Sequence, residues 1–497
     1  MYLQRPFVRA STIPEPYIGR TFLQVAVLSN QHGNQNRRRV FHQVPGAPED
    51  DGQVLCGRFR SCAWLCCVWK RLDSGGRSNH TKFLQWLCDL ARSTNILTTL
   101  LQDIDGREII DFACTMSAGN FGHCHPVMTK AVKDSIDTVT LTNIATYHES
   151  WPRLAKTLCL KFGYDRVATM VSGAEAADSV CKIARKWGIT RKRISPAEVL
   201  ILGSSENYHG LTTGIWPLMD ASNQAEFGVT SRNITNRNPK TGEVLRYGHI
   251  EDYEAVFSEM HGRISAVIIE CLHGRLPTIE EENNFATKLR QLCKKYNVLF
   301  IADEIRMGCA KTGKFLSCDW MGEENKPDMI TLGKSITGGM YPASYILGNN
   351  DTMELVGPYS VSSTFAKSPT ANIATLTALQ VYEDENLLER AAAIGRRFTE
   401  VTSQWKHDHV EYATCRGADA CVMIKEGSGT VTPRRIARLA FQRGVLVYPM
   451  GRRIRISIAL NVTDDELNRG LSILTRVLDE VPFYGEIPGD QHDADSV

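Results

Sequence analysis

No run of about 18 or more apolar residues occurs in the 497-residue chain, which excludes a bilayer-spanning helix on this reading. No sign of charge prevails: 57 Lys and Arg face 55 Asp and Glu, a net +2. That field is too weak to gather nucleic acid or an anionic membrane. No internal repeat is present. Cysteine is not scarce, at 15, but it lacks the arrangement of a metal site. Cys56, Cys62, Cys66 and Cys67 cluster in CGRFRSCAWLCC, with no matching second cluster at zinc spacing. Cys159, Cys181, Cys293 and Cys421 sit singly in apolar runs, as reduced core thiols do. In GHCHP (122–126) two histidines flank a cysteine, and adjacent side chains rarely face one ion, so a tight turn is expected. With 43% hydrophobic and 23% charged residues, the composition is that of a globular enzyme acting on small molecules.

The first 48 residues carry Arg5, Arg9, Arg20, Arg37, Arg38 and Arg39 against a lone acid, Glu15. Such a bias suits a mitochondrial presequence, but Pro6, Pro14 and Pro16 interrupt the amphipathic helix that signal needs. The cytoplasm is therefore the expected compartment, with the mitochondrial matrix as the alternative.

Residues 1–95 show weak periodicity and are expected to be an irregular extension. From about residue 104 the pattern sharpens. IDGREIIDFAC suggests a hairpin turning at Asp105-Gly106. Short, almost continuous apolar runs follow: VATMV (167–171), VLILG (199–203), AVIIE (266–270), VLFIAD (298–303) and MITLG (329–333). Amphipathic helices such as EAADSVCKIARKW (175–187) and NNFATKLRQLCKKY (283–296) separate them. This is the pattern of an α/β fold, a large mainly parallel sheet with helices on both faces. A second α/β segment contains a long helix over 375–405, then GVLVYP, RIRISIAL and a last helix. The expected divisions are 1–95, the N-terminal part of a small domain at 96–145, a large domain at 146–376, the rest of the small domain at 377–481, and a disordered acidic tail at 482–497.

Ligands of open parallel sheets sit beyond the carboxyl ends of the strands. There the chain places Ser172-Gly173-Ala174-Glu175, then Tyr208, Glu270, Asp303 and Lys334. Ser172-x-x-Glu175 has the spacing of a capping box, and by itself says only that a helix starts. Gly173 and Ala174, however, leave bare amides at a helix N-terminus, where a phosphate binds well. A carboxylate at Asp303 can hold a heterocyclic nitrogen protonated. Lys334 in an apolar setting has a lowered pKa, and its neutral amine can condense with an aldehyde. Gly333, Gly338 and Gly339 leave space and permit unusual backbone angles beside it. Phosphate cradle, aromatic platform, carboxylate and lysine together describe a pyridoxal phosphate site.

Over residues 104–480 the chain resembles the class III pyridoxal-phosphate aminotransferases, most of all their ornithine aminotransferase branch. The resembling motifs are NFGHCHP, SGAEAADSVCKIARKWG, NYHG, LFIADEIRMGCAKTGKF, PDMITLGKSITGGMYPAS, SSTFAKSP and RIRISIALNVTDDEL. The resemblance implies fold type I, and an obligate homodimer whose active sites lie at the interface. It makes Lys334 the Schiff-base lysine, Asp303 the ring-nitrogen partner, Tyr208 the stacking aromatic, and Gly173 and Ala174 the phosphate turn. Thr364 would reach the phosphate from the neighbouring subunit, and Arg455 would bind a substrate carboxylate, a task that suits a bidentate guanidinium.

Departures from the family pattern fall around the substrate. Arg306 replaces a Gln expected against the cofactor's ring oxygen. ECLHGR keeps Glu270 but has His273 and Arg275 in place of Gln and Glu. Because that Glu pairs with the carboxylate-binding arginine in ornithine enzymes, Arg275 is expected to leave Arg455 unpaired. Met116 and Leu211 replace an expected Tyr and Arg, and Ala366, Lys367 and Ser368 replace a glycine pair and Asn. The expected activity is a ping-pong amino-group transfer between an amino acid or amine and a 2-oxo acid, with ornithine recognition changed. The alternatives are a racemase or decarboxylase on the same scaffold, or a catalytically weak regulatory relative.

Overall fold

The structure is a computed structural model that describes residues 99–487, apart from 104–105, 143–145, 220–227, 230, 232 and 486. The expectations for residues 1–95, including the Cys56–Cys67 cluster, and for the tail at 488–497 lie outside the described residues.

The described part opens on a hairpin, β1 (Leu100–Gln102) and β2 (Glu108–Asp111), with Gln102 opposite Glu108. Helices α1 (Pro126–Thr138) and α2 (Ser150–Phe162) follow. Next come β3 (Arg166–Met170), α3 (Gly173–Thr190), β4 (Leu200–Leu202), β5 (Ile234–Thr235) and α4 (Ile250–Met260). The chain continues through β6 (Ile264–Ile269), α5 (Ile279–Lys295), β7 (Leu299–Asp303), β8 (Met329–Leu332) and β9 (Ser344–Gly348). Helices α6 (Pro369–Asp384) and α7 (Leu387–Thr402) lead to β10 (Val410–Arg416) and β11 (Asp419–Ile424). Last are α8 (Pro433–Gln442), β12 (Val445–Leu446), β13 (Tyr448–Met450), β14 (Arg453–Ser457) and α9 (Asp464–Glu480).

Seven strands form the large sheet, in the order β3-β9-β8-β7-β6-β4-β5. Its central strands are buried along their whole length, which is why they read as unbroken apolar runs. Alternate residues feed two cores. Ile201, Ala266, Ile268, Leu299, Ile301 and Met329 pack with Ala177, Val180 and Ala184 of α3. Their neighbours Leu200, Val267, Ile269, Phe300, Ala302 and Ile330 point to the other face, against Phe285 and Leu289 of α5. Capping boxes start α3 (Ser172 with Glu175) and α5 (Thr278 with Glu281).

Two smaller sheets, β1-β2-β12 and β10-β11-β14-β13, complete the fold. In the first, β12 pairs parallel to β2, so residues 445–446 close against 110–111.

Three local expectations change. No strand is expected at 344–348, yet β9 runs there, antiparallel to both β8 and β3. The run is only five residues long and sits between Pro342 and Asn349-Asn350, which hides it among turn signals. The helix expected over 375–405 breaks in two at Asn386, whose φ of 49° is left-handed. GVLVYP divides into β12 and β13, which belong to different sheets. Among the described residues, no helix is long and apolar enough to cross a membrane.

One buried ion pair fastens the loop after β6 to the second smaller sheet. Glu282 and Arg416, both fully buried, meet at 2.9 Å. Glu282 also accepts the backbone N–H groups of His273, Arg275 and Leu276, and Arg416 donates to the Leu276 carbonyl. Glu282→Ala leaves Arg416 charged and unpaired, so about 3–5 kcal/mol of stability is lost. A thermal melt of that variant is expected several degrees below wild type, and equal melting temperatures would refute this account of the loop.

Candidate active site

Only β9 is reversed in the large sheet, so the carboxyl ends of β3, β4, β6, β7 and β8 share one rim. Register does the positioning. Asp303 lies opposite Thr331, three residues before Lys334. Met170, just before the Ser172 turn, lies opposite Ser344, and Leu332 lies opposite Tyr345. The start of β9 therefore separates the glycine turn from the lysine turn. Ser344 Oγ fastens the former by donating to the Ser172 carbonyl at 2.7 Å. Ile305 packs into both: a Cβ on Gly173 would stand 3.0 Å from its side chain, and one on Gly333 would stand 3.2 Å away.

Asp303 is buried and fully oriented. Its Oδ1 accepts from Thr331 Oγ1 at 3.0 Å and from the Ile305 amide at 3.1 Å. His209 Nδ1 lies 2.7 Å from Oδ2, so that nitrogen carries the proton and donates. His209 is itself wholly buried, and its Nε2 has no hydrogen-bond partner among the described residues.

Lys334 opens a short helical turn, with a left-handed φ of 46° that a lysine adopts only when its surroundings impose it. Burial pushes its pKa down to about 8; Glu270 and Asp303 oppose that shift, whereas Arg306 and Arg455 add to it. The glycines after it act differently from expectation. Gly338 and Gly339 do have positive φ, but they leave no free space. A Cβ on Gly338 would meet Phe121 at 2.6 Å, and one on Gly339 would meet the Ala118 carbonyl at 2.9 Å. They let the 117–121 segment close over the lysine turn. Ser335 Oγ then donates to the Ser117 carbonyl at 2.7 Å. The chain enters that segment through four successive residues with left-handed φ, Cys114 to Ser117, a conformation that costs an L-residue roughly 1–2 kcal/mol each.

At the α3 N-terminus the Glu175 amide donates to the capping Ser172 Oγ and the Ala176 amide makes the first helical bond, to the Ser172 carbonyl, so the Gly173 and Ala174 amides precede both and have no partner among the described residues. Tyr208, half-exposed, is placed by its own backbone: its amide donates to Glu270 Oε2 at 3.1 Å.

The remaining charged residues form a cluster. Arg306 donates Nε to Glu270 at 2.9 Å, Nη1 to both Asp419 oxygens at 3.1 Å, and Nη2 to the His273 carbonyl at 2.6 Å. Burial alone would drive its pKa down, but Asp419 and Glu270 hold it above the usual value. Burial raises the Glu270 carboxyl, but His273, 3.3 Å from its Oε2, and Arg306 lower it on balance; at Asp419 burial is likewise outweighed, by Arg306, Arg455 and Lys311. His273, pushed well down by burial, is neutral near pH 7. Arg455 projects from β14 into a small pocket lined by His273, Asp419, Cys421, Met450 and Arg453. Burial, then Arg306, pushes its pKa down to about 10, so it stays charged near neutrality. Its buried Nη2 has no hydrogen-bond partner among the described residues. Arg275 lies beside this group, pairing with Glu206 at 2.9 Å, and Glu206 also reaches Arg453 at 3.3 Å.

The rim thus gathers Gly173, Ala174, Tyr208, Glu270, Asp303, Arg306 and Lys334, with Arg455 across the pocket. Thr364 stands apart, exposed, and no hydrogen bond among the described residues joins it to the others. The sequence reading missed His209, Asp419 and Glu206. NYHG offered the histidine, but nothing in its local spacing tied it to Asp303. Among the described residues, no three His, Cys, Asp or Glu side chains converge as a metal site requires.

A family model for aminotransferase class III matches residues 82–478. The ornithine aminotransferase of Schizosaccharomyces pombe is 34% identical over 78% of this chain and 88% of its own length. The mitochondrial ornithine aminotransferase of Arabidopsis thaliana is 34% identical over 76% of this chain and 78% of its own. Among solved structures, the Toxoplasma gondii ornithine aminotransferase superposes with a TM-score of 0.71 at 26% identity, covering 83% of this chain and 97% of that one. The acetylornithine aminotransferase of Elizabethkingia anophelis gives 0.66 at 28% identity, over 81% and 100%. A strand-end lysine with a lowered pKa, a buried carboxylate beside it and bare helix amides across β9 agree with these matches: the chain belongs to the class III aminotransferases, pyridoxal-phosphate-dependent transaminases, and is ornithine-aminotransferase-like.

Proposed function

We propose that this transaminase moves an amino group between an amino acid and a 2-oxo acid by a ping-pong route, and that ornithine is not its donor. The observation that carries the reading is the shared rim: Lys334, Asp303 and the Gly173 amides are tied together by the Asp303–Thr331 register and by Ile305.

These residues fit pyridoxal phosphate. The Gly173 and Ala174 amides suit its phosphate, Tyr208 its ring face, and Asp303 its ring nitrogen, which the adjacent negative charge keeps protonated. In a homodimer with shared sites, the exposed Thr364 serves the neighbouring protomer's phosphate. Once bound, the cofactor supplies an aldehyde and an electron-accepting ring. Everything else falls to the chain. With a pKa near 8, Lys334 has an appreciable neutral fraction at physiological pH, so its amine would hold the cofactor and would serve as the base that carries a proton to and from the substrate's α-carbon. Arg455, charged and with an uncommitted N–H, receives a substrate carboxylate and so fixes which carbon faces Lys334. Arg306 has most of its donors committed to Glu270, Asp419 and His273, leaving little for a ring oxygen. Ornithine is disfavoured because Arg275 and Arg453 crowd positive charge beside the pocket, where a second amine would repel them.

Lys334→Ala should abolish the visible absorbance of the bound cofactor and lower turnover by at least 10²–10⁴-fold, roughly what a lost general base costs; a variant that keeps both would overturn the site. The pH dependence has a definite sign. The competent amine is the deprotonated one, so capture of cofactor by the apo chain should accelerate about tenfold per pH unit below pH 8 and level off above it. A rate that is flat from pH 6 to 9 would contradict the lowered pKa. A screen of amino acids should find a donor that releases one equivalent of 2-oxo acid per site without any acceptor, a stoichiometry that a racemase or decarboxylase does not give. Ornithine should be roughly 100-fold poorer than that donor, and robust ornithine turnover with 2-oxoglutarate would refute that part.

A further inference from the structure

Four guanidinium groups, Arg275, Arg306, Arg453 and Arg455, adjoin the small pocket, against three carboxylates, Glu206, Glu270 and Asp419. His273, being neutral, does not change that balance. Among these seven groups the cations outnumber the anions by one, and among the described residues Arg455 Nη2 is a buried guanidinium donor in the pocket without a hydrogen-bond partner. A buried cation ordinarily captures any acid in reach. Two are in reach. Asp419 pairs in register with Ser457, and Cys421 with Arg455, so Asp419 and Arg455 are diagonal neighbours on one face of the β11–β14 ladder. Such neighbours are about 7–8 Å apart, within the span of an arginine. The charges of both Asp419 and Glu270 are felt at Arg455.

Neither acid is bonded to Arg455, because both are held elsewhere. Arg306 takes one oxygen of Glu270 and both of Asp419, and its own plane is fixed by the His273 carbonyl. Tyr208 N–H takes the other oxygen of Glu270. We propose that Arg306 is a positioning residue that keeps the carboxylate subsite open: by engaging Glu270 and Asp419 it withholds both acids from Arg455, so that a substrate carboxylate becomes Arg455's partner. The proposal rests on the transaminase reading for what occupies the subsite, and it deepens that reading by making Arg306 a determinant of specificity for carboxylate-bearing substrates over simple amines.

Succinate, a carboxylate that cannot react, separates binding from chemistry. Titrated calorimetrically into the holoenzyme, it should bind wild type and bind Arg455→Met much more weakly. Arg306→Gln frees Asp419 and one oxygen of Glu270, whose other oxygen stays with the Tyr208 N–H and His273, so Asp419 can turn to Arg455 and succinate affinity should fall by about tenfold or more. The KM for the amino-acid donor should rise with it, while kcat changes less. The double variant Arg306→Gln/Asp419→Asn removes one competing acid and should recover most of the loss. A merely structural role for Arg306 predicts no such rescue. If Arg306→Gln does not fold, Arg306→Lys is read by the same criteria; an ammonium cannot span both acids, so a smaller loss in the same direction is expected. Unchanged succinate affinity in the Arg306 variant, or a double variant no better than the single, overturns the proposal. So does equal succinate affinity in wild type and Arg455→Met. The two readings fail separately. Succinate binding that follows the expected pattern in an enzyme that transaminates nothing leaves the clamp standing and removes the proposed function. Turnover of amino acids with succinate affinity indifferent to Arg306 does the reverse.

Discussion

Shared strand direction is the constraint on which the site depends. Parallel pairing of β6, β7 and β8 brings Glu270, Asp303 and Lys334 out of the sheet on the same side, although 64 positions separate the first from the last. The reversed strand β9 preserves this arrangement, since β3, antiparallel to β9, points its carboxyl end to the same rim. Helix α3 then presents its N-terminal amides there, as a parallel strand followed by a helix must. None of these groups owes its place to a flexible loop alone. Glu270, Asp303 and Lys334 each lie at or within two residues of the end of a fully buried strand, the α3 amides follow the buried end of β3, and sheet register sets their separations.

Charge imposes the second layer of order. A guanidinium removed from water is tolerated only when its donors and its charge are met together. Arg306 satisfies that condition with Glu270 from the large sheet, Asp419 from the second smaller sheet and a carbonyl from the loop between them. One side chain thus joins the two sheets beside the pocket that Arg455 lines. Glu282 and Arg416 do the same a short distance along the same loop. Pairs of this kind contribute little to stability when intact, but removing one member is costly. Substitutions at Arg306, Glu270 and Asp419 are therefore expected to be strongly coupled rather than additive.

How far the sequence could be read depends on whether the determining contacts are local. The apolar runs ending in Glu270, Asp303 and Lys334 disclosed both the sheet and its rim, because burial of both strand faces leaves a compositional trace. Ser172 and Glu175 disclosed a helix start in the same way. Strand β9 was hidden because a five-residue run between turn-forming residues has no period to distinguish it. His209 and Asp419 were hidden for a different reason. Their partners are 94 and 113 positions away, and no local pattern encodes a contact of that range. The expectation about Arg455 rests on Arg275 alone, whereas the charged cluster around it also holds Arg306 and Asp419, whose contact no local pattern encodes. Gly338 and Gly339 were read as giving room, whereas their missing Cβ atoms are needed for close packing against Phe121 and Ala118.

The distance from Arg306 to Asp419 along the chain also has a consequence for biosynthesis. At about 5–20 residues per second, a ribosome takes on the order of 10 s to add the 113 positions between them. Through that interval the arginine has its glutamate but not its aspartate, and the strand bearing Arg455 does not yet exist. The large sheet therefore cannot finish burying its own rim while the chain is nascent. Until the last strands arrive, that edge lacks the carboxylate of Asp419.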